Sequence, residues 1–324
     1  MASKYGGYMG KVLKIDLTSR QVSEYPFSDE DRELYIGGKT MAAKILGDHL
    51  TGKEKAFSED NLLVVTTGPM TGSGAPSSSR FNISTLSPQT GYITSSNCGG
   101  HFGYYLKKAG LDALILTGRC DKPSWIEIQN EKVIFHDAGD IWGMKTGETQ
   151  KALDDKLRMK SGRVRKNGKI CIGPAGENLV LYSCIVSNER VSGRGGTGAV
   201  MGWMRLKAVC ASGNKEVPVH DKEKMVKHTR KWFRYLREHP LTGNQLPRLG
   251  TAGLVSAMQM KHILSTKNYT YGQYDEFEKI YHLNKAVDLP VSLEQIEITE
   301  EQWEECMERI PDMSDVAHYP YKVT

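Results

Sequence analysis

The sequence predicts an α+β fold: a duplicated mixed strand–helix unit over residues 1–213, then a mostly helical region over residues 214–324. Three observations predict it. Short apolar β-type runs alternate with helical stretches through the first part. A strand ending in Gly-Pro occurs twice, at 62–66 before Gly68-Pro69 and at 169–172 before Gly173-Pro174. Each is followed by a polar cluster with an arginine, a glycine pair (Gly99-Gly100 and Gly195-Gly196), a short helical stretch and a closing strand. The closing strands, 111–118 and 206–213, line up with one another, which marks an internal duplication.

The elements follow in order. Residues 8–26 read as a hairpin, with Val12, Leu13, Ile15 and Leu17 before the turn at 18–20 and 22–25 returning. Tyr35-Ile36-Gly37-Gly38 leads into a helix at 41–46 with apolar positions at helical spacing. Residues 71–80 are turn-forming throughout, 81–85 is a strand, Ser87-Pro88 breaks it and 92–94 resumes. A helix opens at 97–103 and runs through Lys108. A second hairpin spans 124–135 with its turn at 129–131, and an amphipathic helix covers 149–157. Residues 163–169 form a basic loop. A strand is expected at 179–186, and a short helix after Gly195-Gly196.

Composition is that of an ordinary globular protein: 324 residues, 39% hydrophobic, 25% charged, net charge +5. The first residues lack the apolar core of a signal peptide, and no run of about 18 apolar residues is present. Six cysteines without C-x-x-C spacing fit reduced thiols in a cytoplasmic protein rather than a disulfide frame. No nucleic-acid module accompanies the mild positive charge.

The stretch from Asn188 to Gly202 carries the chemistry. Four glycines follow Ser192 within seven residues, beside Arg190 and Arg194. Such a loop brings backbone N–H groups close to a ligand, and a nest of donors beside guanidinium groups suits phosphate. Alone, it reads as readily as a flexible loop. The duplication supplies a counterpart, with Arg80 before the first glycine turn and Arg190 in the second, and Asn97 and Arg190 just before their glycine pairs. Two equivalent turns match a pseudo-symmetric ligand with two phosphates.

Six segments occur together: Gly68-Pro-Met-Thr-Gly-Ser-Gly-Ala-Pro-Ser-Ser-Ser-Arg80, Ser87-Pro-Gln-Thr-Gly91, Asn97-Cys-Gly-Gly-His-Phe-Gly103, Ala109-Gly-Leu-Asp-Ala113, Ile172-Gly-Pro-Ala-Gly-Glu-Asn178 and Gly193-Arg-Gly-Gly-Thr-Gly-Ala-Val-Met-Gly202. In kind and order they resemble the N-terminal domain of the aldehyde ferredoxin oxidoreductase family, the tungsten or molybdenum bis-pterin enzymes; joined motifs are far more specific than any one. The resemblance implies an α+β platform of intertwined, duplicated topology carrying two pterins. These chelate one tungsten or molybdenum, and Mg2+ joins their phosphates. By position it implies that Arg80, Asn97, Gly99, Arg190, Val191 and Gly193 contact the pterins. It also implies that the backbone carbonyls of Asn97 and Val191 bind the Mg2+, a hard cation that takes oxygen ligands. The chain departs from the family at Val191-Ser192, where small residues are usual. No general acid or base is implied among its residues.

Beyond Gly213 the texture changes. A helix is expected at 222–239, capped by Asp221 and docked by the apolar face of Met225, Trp232 and Leu236, with a solvated basic remainder. A second helix is expected from 246 through Leu264 with Thr251 as cap. Ser292 and Thr299 open capping-box patterns, Thr299 starting a last helix. The family's C-x-x-C-x-x-x-C motif, which supplies three ligands of a 4Fe-4S cluster, is absent; Cys306 is the only late cysteine.

The leading expectation is therefore the pterin-binding front part of an enzyme that oxidises an aldehyde to a carboxylic acid and passes electrons to ferredoxin or another electron-transfer subunit. The chain would be a fragment, one piece of a split enzyme joined by a separate C-terminal half or a homodimer partner, or the product of a stop codon read elsewhere as selenocysteine. A non-catalytic pterin-binding scaffold is the alternative. A dinucleotide enzyme fits less well, because no G-x-G-x-x-G follows a strand with an acidic residue about 20 positions on. No membrane or nucleic-acid partner is expected.

Overall fold

The computed structural model describes residues 3–161 and 166–279. The chain divides into two compact units, Met1–Thr229 and Arg230–Thr324.

The first unit contains two six-stranded mixed sheets. Its first half runs β1 (Val12–Asp16), β2 (Val22–Tyr25), α1 (Asp29–Tyr35), α2 (Gly38–His49), β3 (Leu63–Thr67), β4 (Phe81–Leu86), β5 (Ile93–Cys98), α3 (Phe102–Lys108) and β6 (Ala113–Thr117). Its second half runs β7 (Ser124–Gln129), β8 (Lys132–Asp137), α4 (Thr146–Ser161), β9 (Gly168–Cys171), α5 (Pro174–Glu177), β10 (Ile185–Ser187), β11 (Arg190–Ser192), α6 (Thr197–Trp203) and β12 (Leu206–Ser212).

The sheets have orders β2-β1-β6-β3-β4-β5 and β8-β7-β12-β9-β10-β11. Replacing each strand of the first by the strand six places on reproduces the second. The pairing senses match as well. Each hairpin is antiparallel, β1–β6 and β7–β12 are the parallel pairs, and the remaining pairs are antiparallel. The duplication expected from residue order is thus present in the topology.

The main core collects inward residues of both sheets, among them Ile15, Val65, Ile83 and Leu114 from the first and Ile126, Ile170 and Val209 from the second. Phe102 and Leu106 of α3 join it, as do Val200 and Met201 of α6. The outer face of the first sheet is covered by Met41, Ile45 and Leu46 of α2, and that of the second by Leu153 and Leu157 of α4. Covered on both faces, β3, β6 and β12 are buried at every position, so they read as continuous runs rather than alternating ones. Each buried Leu or Ile contributes on the order of 2 kcal/mol of transfer free energy. The halves are interlocked: α3 follows a strand of the first sheet yet packs on β9 and β12 of the second, and α6 touches β3 and β4 of the first.

The N-terminal segment is pinned by one buried pair. Lys107 Nζ lies 2.5 Å from Asp112 Oδ1, both side chains about 1% exposed. Lys107 also donates to Gly7 O, and Asp112 accepts from the backbone N–H groups of Met9 and Gly10. Removing either partner would strand a buried charge. After β12 the chain returns to this segment, Gly7 N donating to Pro218 O.

Two expectations for this unit need correction. The strand expected at 179–186 is only β10. Pro174 starts α5, whose carbonyls capture the N–H groups of Asn178, Leu179 and Val180, and Leu179 takes φ +58°. The helix α7 (Lys222–Glu238) forms, with Asp221 accepting from Lys224 N as its cap. Its apolar face is only partly covered: no residue of α7 is buried, Met225 and Leu236 are half-buried, and Trp232 is about half exposed.

In the second unit a π-helical turn (Leu241–Gln245) precedes α8 (Leu246–Leu249), a 3-10 turn (Gly250–Leu254) and α9 (Val255–Met260). The single helix expected from 246 to 264 is broken because Gly250 sits at φ +57°. Thr251 lies inside the 3-10 turn rather than capping a helix. The patterns at Ser292 and Thr299, and Cys306, lie outside the described residues. Among the described residues no helix is long and apolar enough to cross a membrane.

Candidate functional site

The outermost strands β5 and β11, one from each sheet, lie against each other. This juxtaposition brings the six sequence-predicted residues together. Arg80 stands exposed at the entrance to β4, and Asn97 is exposed on β5, paired with Asn82. Gly99 follows. Arg190 and Val191 are exposed on β11, Val191 by 48%, and Gly193 is exposed just beyond.

A Cβ built on Gly99 would lie 3.2 Å from Arg190 Cγ, so the first glycine turn touches the second half's arginine. Arg80 and Arg190 both act electrostatically on the Cys98 thiol. Burial pushes that thiol up to about 11, and the two guanidinium groups pull the other way without prevailing.

The hairpin that presents Arg190 turns at Asn188, φ +56°, a residue type that tolerates left-handed backbone. Gln150 on α4 grips Asn188 from both sides: Asn188 N donates to Gln150 Oε1 at 2.8 Å, and Gln150 Nε2 donates to Asn188 O at 3.2 Å. The Asn188 side chain reaches across, its Oδ1 accepting from His101 N at 3.0 Å. In the opposite direction, Ser96 Oγ on β5 accepts from Arg194 N at 3.1 Å.

The glycines of the second turn separate into two kinds. Gly195 and Gly196 both have φ +69°, and a Cβ there would come within 1.9 Å of Thr94 Oγ1 and of Leu181 O respectively. The fold itself requires these two. At Gly193 a Cβ would meet Val191 Cγ1 at 3.6 Å and Cys184 Sγ at 3.8 Å, ordinary contacts. Among the described residues nothing demands glycine at 193, and the space above it is open.

Five of the six residues are solvent-exposed, so the site presents an exposed face. A cavity of about 750 Å³ lies in the second unit, lined by His262, Lys267 and Tyr271 among others, and includes none of the six residues. Leu181 O lies against Gly196 and Thr94 against Gly195; exposed Tyr182 follows the first, and exposed Tyr92 and Ile93 precede the second. Two guanidinium groups, exposed backbone and an apolar rim suit a large anionic ligand with a flat body. Sequence reasoning missed Ser96, Gln150 and Asn188; the one local signal was Asn188-Glu189, a turn between two β-type runs.

Residues 12–213 match the family model described as aldehyde ferredoxin oxidoreductase, N-terminal domain. The tungsten-containing aldehyde ferredoxin oxidoreductase of Pyrococcus abyssi is 38% identical over 270 residues, 83% of this chain and 44% of that protein. An aliphatic sulfonate oxidoreductase, WOR-like subunit, of Pyrococcus furiosus is 35% identical over 241 residues, 71% of this chain and 38% of that protein. Among solved structures, the active site complex BamBC of benzoyl coenzyme A reductase with 1,5-dienoyl-CoA superposes with a TM-score of 0.74 at 28% identity. It covers 87% of this chain and 44% of that one. The chain therefore spans less than half the length of these relatives.

Proposed function

The chain belongs to the aldehyde ferredoxin oxidoreductase family, and from that premise we propose that its first unit is the platform on which two pterins hold a tungsten ion. The observation that carries the reading is the meeting of β5 and β11, which sets one arginine-and-glycine turn from each duplicated half side by side. In this reading Arg80 and Arg190 neutralise the pterin phosphates. The backbone carbonyls of Asn97 and Val191 would hold the Mg2+, which would offset further phosphate charge. Gly99 and Gly193 leave room for the pterin bodies. The valine at 191 does not obstruct this, since its side chain is half exposed and its carbonyl is the group required.

The chemistry the bound group supplies is the two-electron oxidation of an aldehyde to a carboxylic acid. This chain's own residues bind and orient it. Tungsten rather than molybdenum is proposed because the relatives named for a metal are named for tungsten. The substrate belongs to the rest of the enzyme, since relatives on the same platform are named for aldehydes, aliphatic sulfonates and benzoyl-CoA.

The described cysteines do not fit a 4Fe-4S cluster. Cys98 and Cys120 are buried in the main apolar core, and Cys171 and Cys210 in the cluster under α4. Burial pushes the Cys171 thiol up to about 12 and that of Cys210 higher still. Among the described residues no three His, Cys, Asp or Glu side chains are grouped to hold a metal. In this reading the electrons pass to ferredoxin or another electron-transfer subunit in the cytoplasm.

The test is cofactor content. The chain, produced with tungstate in a pterin-synthesising host, is expected to carry two pterins and one tungsten. A chain that purifies without pterin removes the proposal and leaves a scaffold that lost its ligand.

A further inference from the structure

The two hydrogen bonds that cross between the halves at the site form a reciprocal pair. Ser96, on the outermost strand of the first sheet, accepts from Arg194 N, the residue before Gly195 of the second half. Asn188, at the hairpin of the second sheet, accepts from His101 N, the residue after Gly100 of the first half. Each side chain catches the backbone of the other half beside its glycine pair. Packing reinforces both. Thr94 leaves no room for a Cβ at Gly195, and Ser187 O leaves none at Gly100, where it would stand 2.6 Å away.

The clasps are anchored on opposite sides. Ser96 is 3% exposed and held in the β4–β5 ladder. Asn188 is held by its two backbone bonds to Gln150. Neither side chain is among the residues assigned to the pterins.

Resting on the pterin-platform reading, we propose that Ser96 and Asn188 are positioning residues, reciprocal clasps that set the separation of the two pterin-binding arms. A ligand joined at both phosphates and at one metal tolerates little error in that separation. A slack clasp on either side would let the Asn97–Gly99 arm drift from the Arg190–Gly193 arm.

Three variants of the full chain test this: S96A, N188G and N188D. Glycine at 188 keeps the left-handed turn and removes the acceptor; aspartate keeps both. The pterin and tungsten carried by each purified protein are followed as they are lost over time. Amide hydrogen exchange is read at His101 and Arg194. S96A and N188G are expected to lose pterin roughly threefold to tenfold faster than the unaltered chain, the range for one backbone hydrogen bond. Arg194 N should exchange faster in S96A, and His101 N in N188G, with thermal unfolding unchanged. N188D should behave like the unaltered chain. Equal pterin loss in N188G and N188D, unaltered loss in S96A, or unaltered exchange at both amides would each overturn the clasps. The pterin content of the unaltered chain reports separately on the platform: none there sinks that reading and the clasps with it, whereas normal content with unaltered variant-to-parent ratios sinks the clasps alone.

Discussion

A methyl group added at Gly193 would find Val191 Cγ1 and Cys184 Sγ at contact distance and no obstruction. Packing among the described residues therefore gives no reason for glycine there; the pterin proposed above would supply one. Gly193→Ala is expected to unfold within about 0.5 kcal/mol of the parent, as surface substitutions do, yet to retain less pterin. Equal retention would show that the space above Gly193 is plain solvent. Arg190→Ala addresses charge instead of space. A hydrogen bond to a charged group contributes about 1.5–3 kcal/mol, so pterin retention should fall roughly tenfold to a hundredfold. Cofactor occupancy that does not move in R190A would take that arginine out of the site. Cys98 feels both arginines but, with its thiol raised to about 11, is protonated at neutral pH. It is a packing residue there, not a nucleophile.

At the scale of elements, Gly196 is the N-cap of α6 and has left-handed backbone, φ +69°. A side chain there costs about 1–2 kcal/mol in backbone strain alone and must also displace Leu181 O, 1.9 Å from the new Cβ. Gly196→Ala should therefore lose about 3 kcal/mol or more in urea unfolding, or fail to fold. A variant as stable as the parent would mean that the start of α6 is not packed as described. This division of labour among glycines was not legible in the sequence, where Gly193, Gly195 and Gly196 look alike. The hairpins, the strands stopped by Gly-Pro and the helices after the glycine pairs were legible, because each carries a local turn or period signal. The break at Gly250 was not, since apolar periodicity is indifferent to the sign of φ. The apolar stripe of α7 was read as amphipathic, but how far it is covered was not legible, because periodicity reports a face and not its partner. The clasps could not be read either. They join residues 98 and 87 positions apart through one side-chain acceptor each, which leaves no local pattern.

For the whole molecule, repeated residue order foretold repeated strand order, because each half keeps its strands in sequence. It did not foretell the interlocking of α3 and α6, nor how the ends of the platform are tied. One tie is Glu131, at the β7–β8 turn of the second half. It binds Lys11 of the first half at 2.5 Å and also Lys215, beyond the last strand. Partial burial would push its carboxyl up, but the hydrogen bonds from Lys11 and Lys215 outweigh that and hold it below the ordinary glutamate value. A carboxylate lowered in the folded state stabilises fully above its unfolded pKa, and that contribution disappears as pH falls through the folded value. Glu131→Gln should thus cost about 1 kcal/mol at pH 7, the scale of a partly exposed charge pair. The gap between parent and variant in urea unfolding should hold constant down to about pH 5 and close below roughly 4.5, the ordinary glutamate range. Comparing the two proteins at each pH cancels the other carboxylates that titrate alongside. A gap that persists undiminished at pH 3 would mean that Glu131 acts through neutral hydrogen bonds or shape, and that charge does not tie the first half to the second at this point.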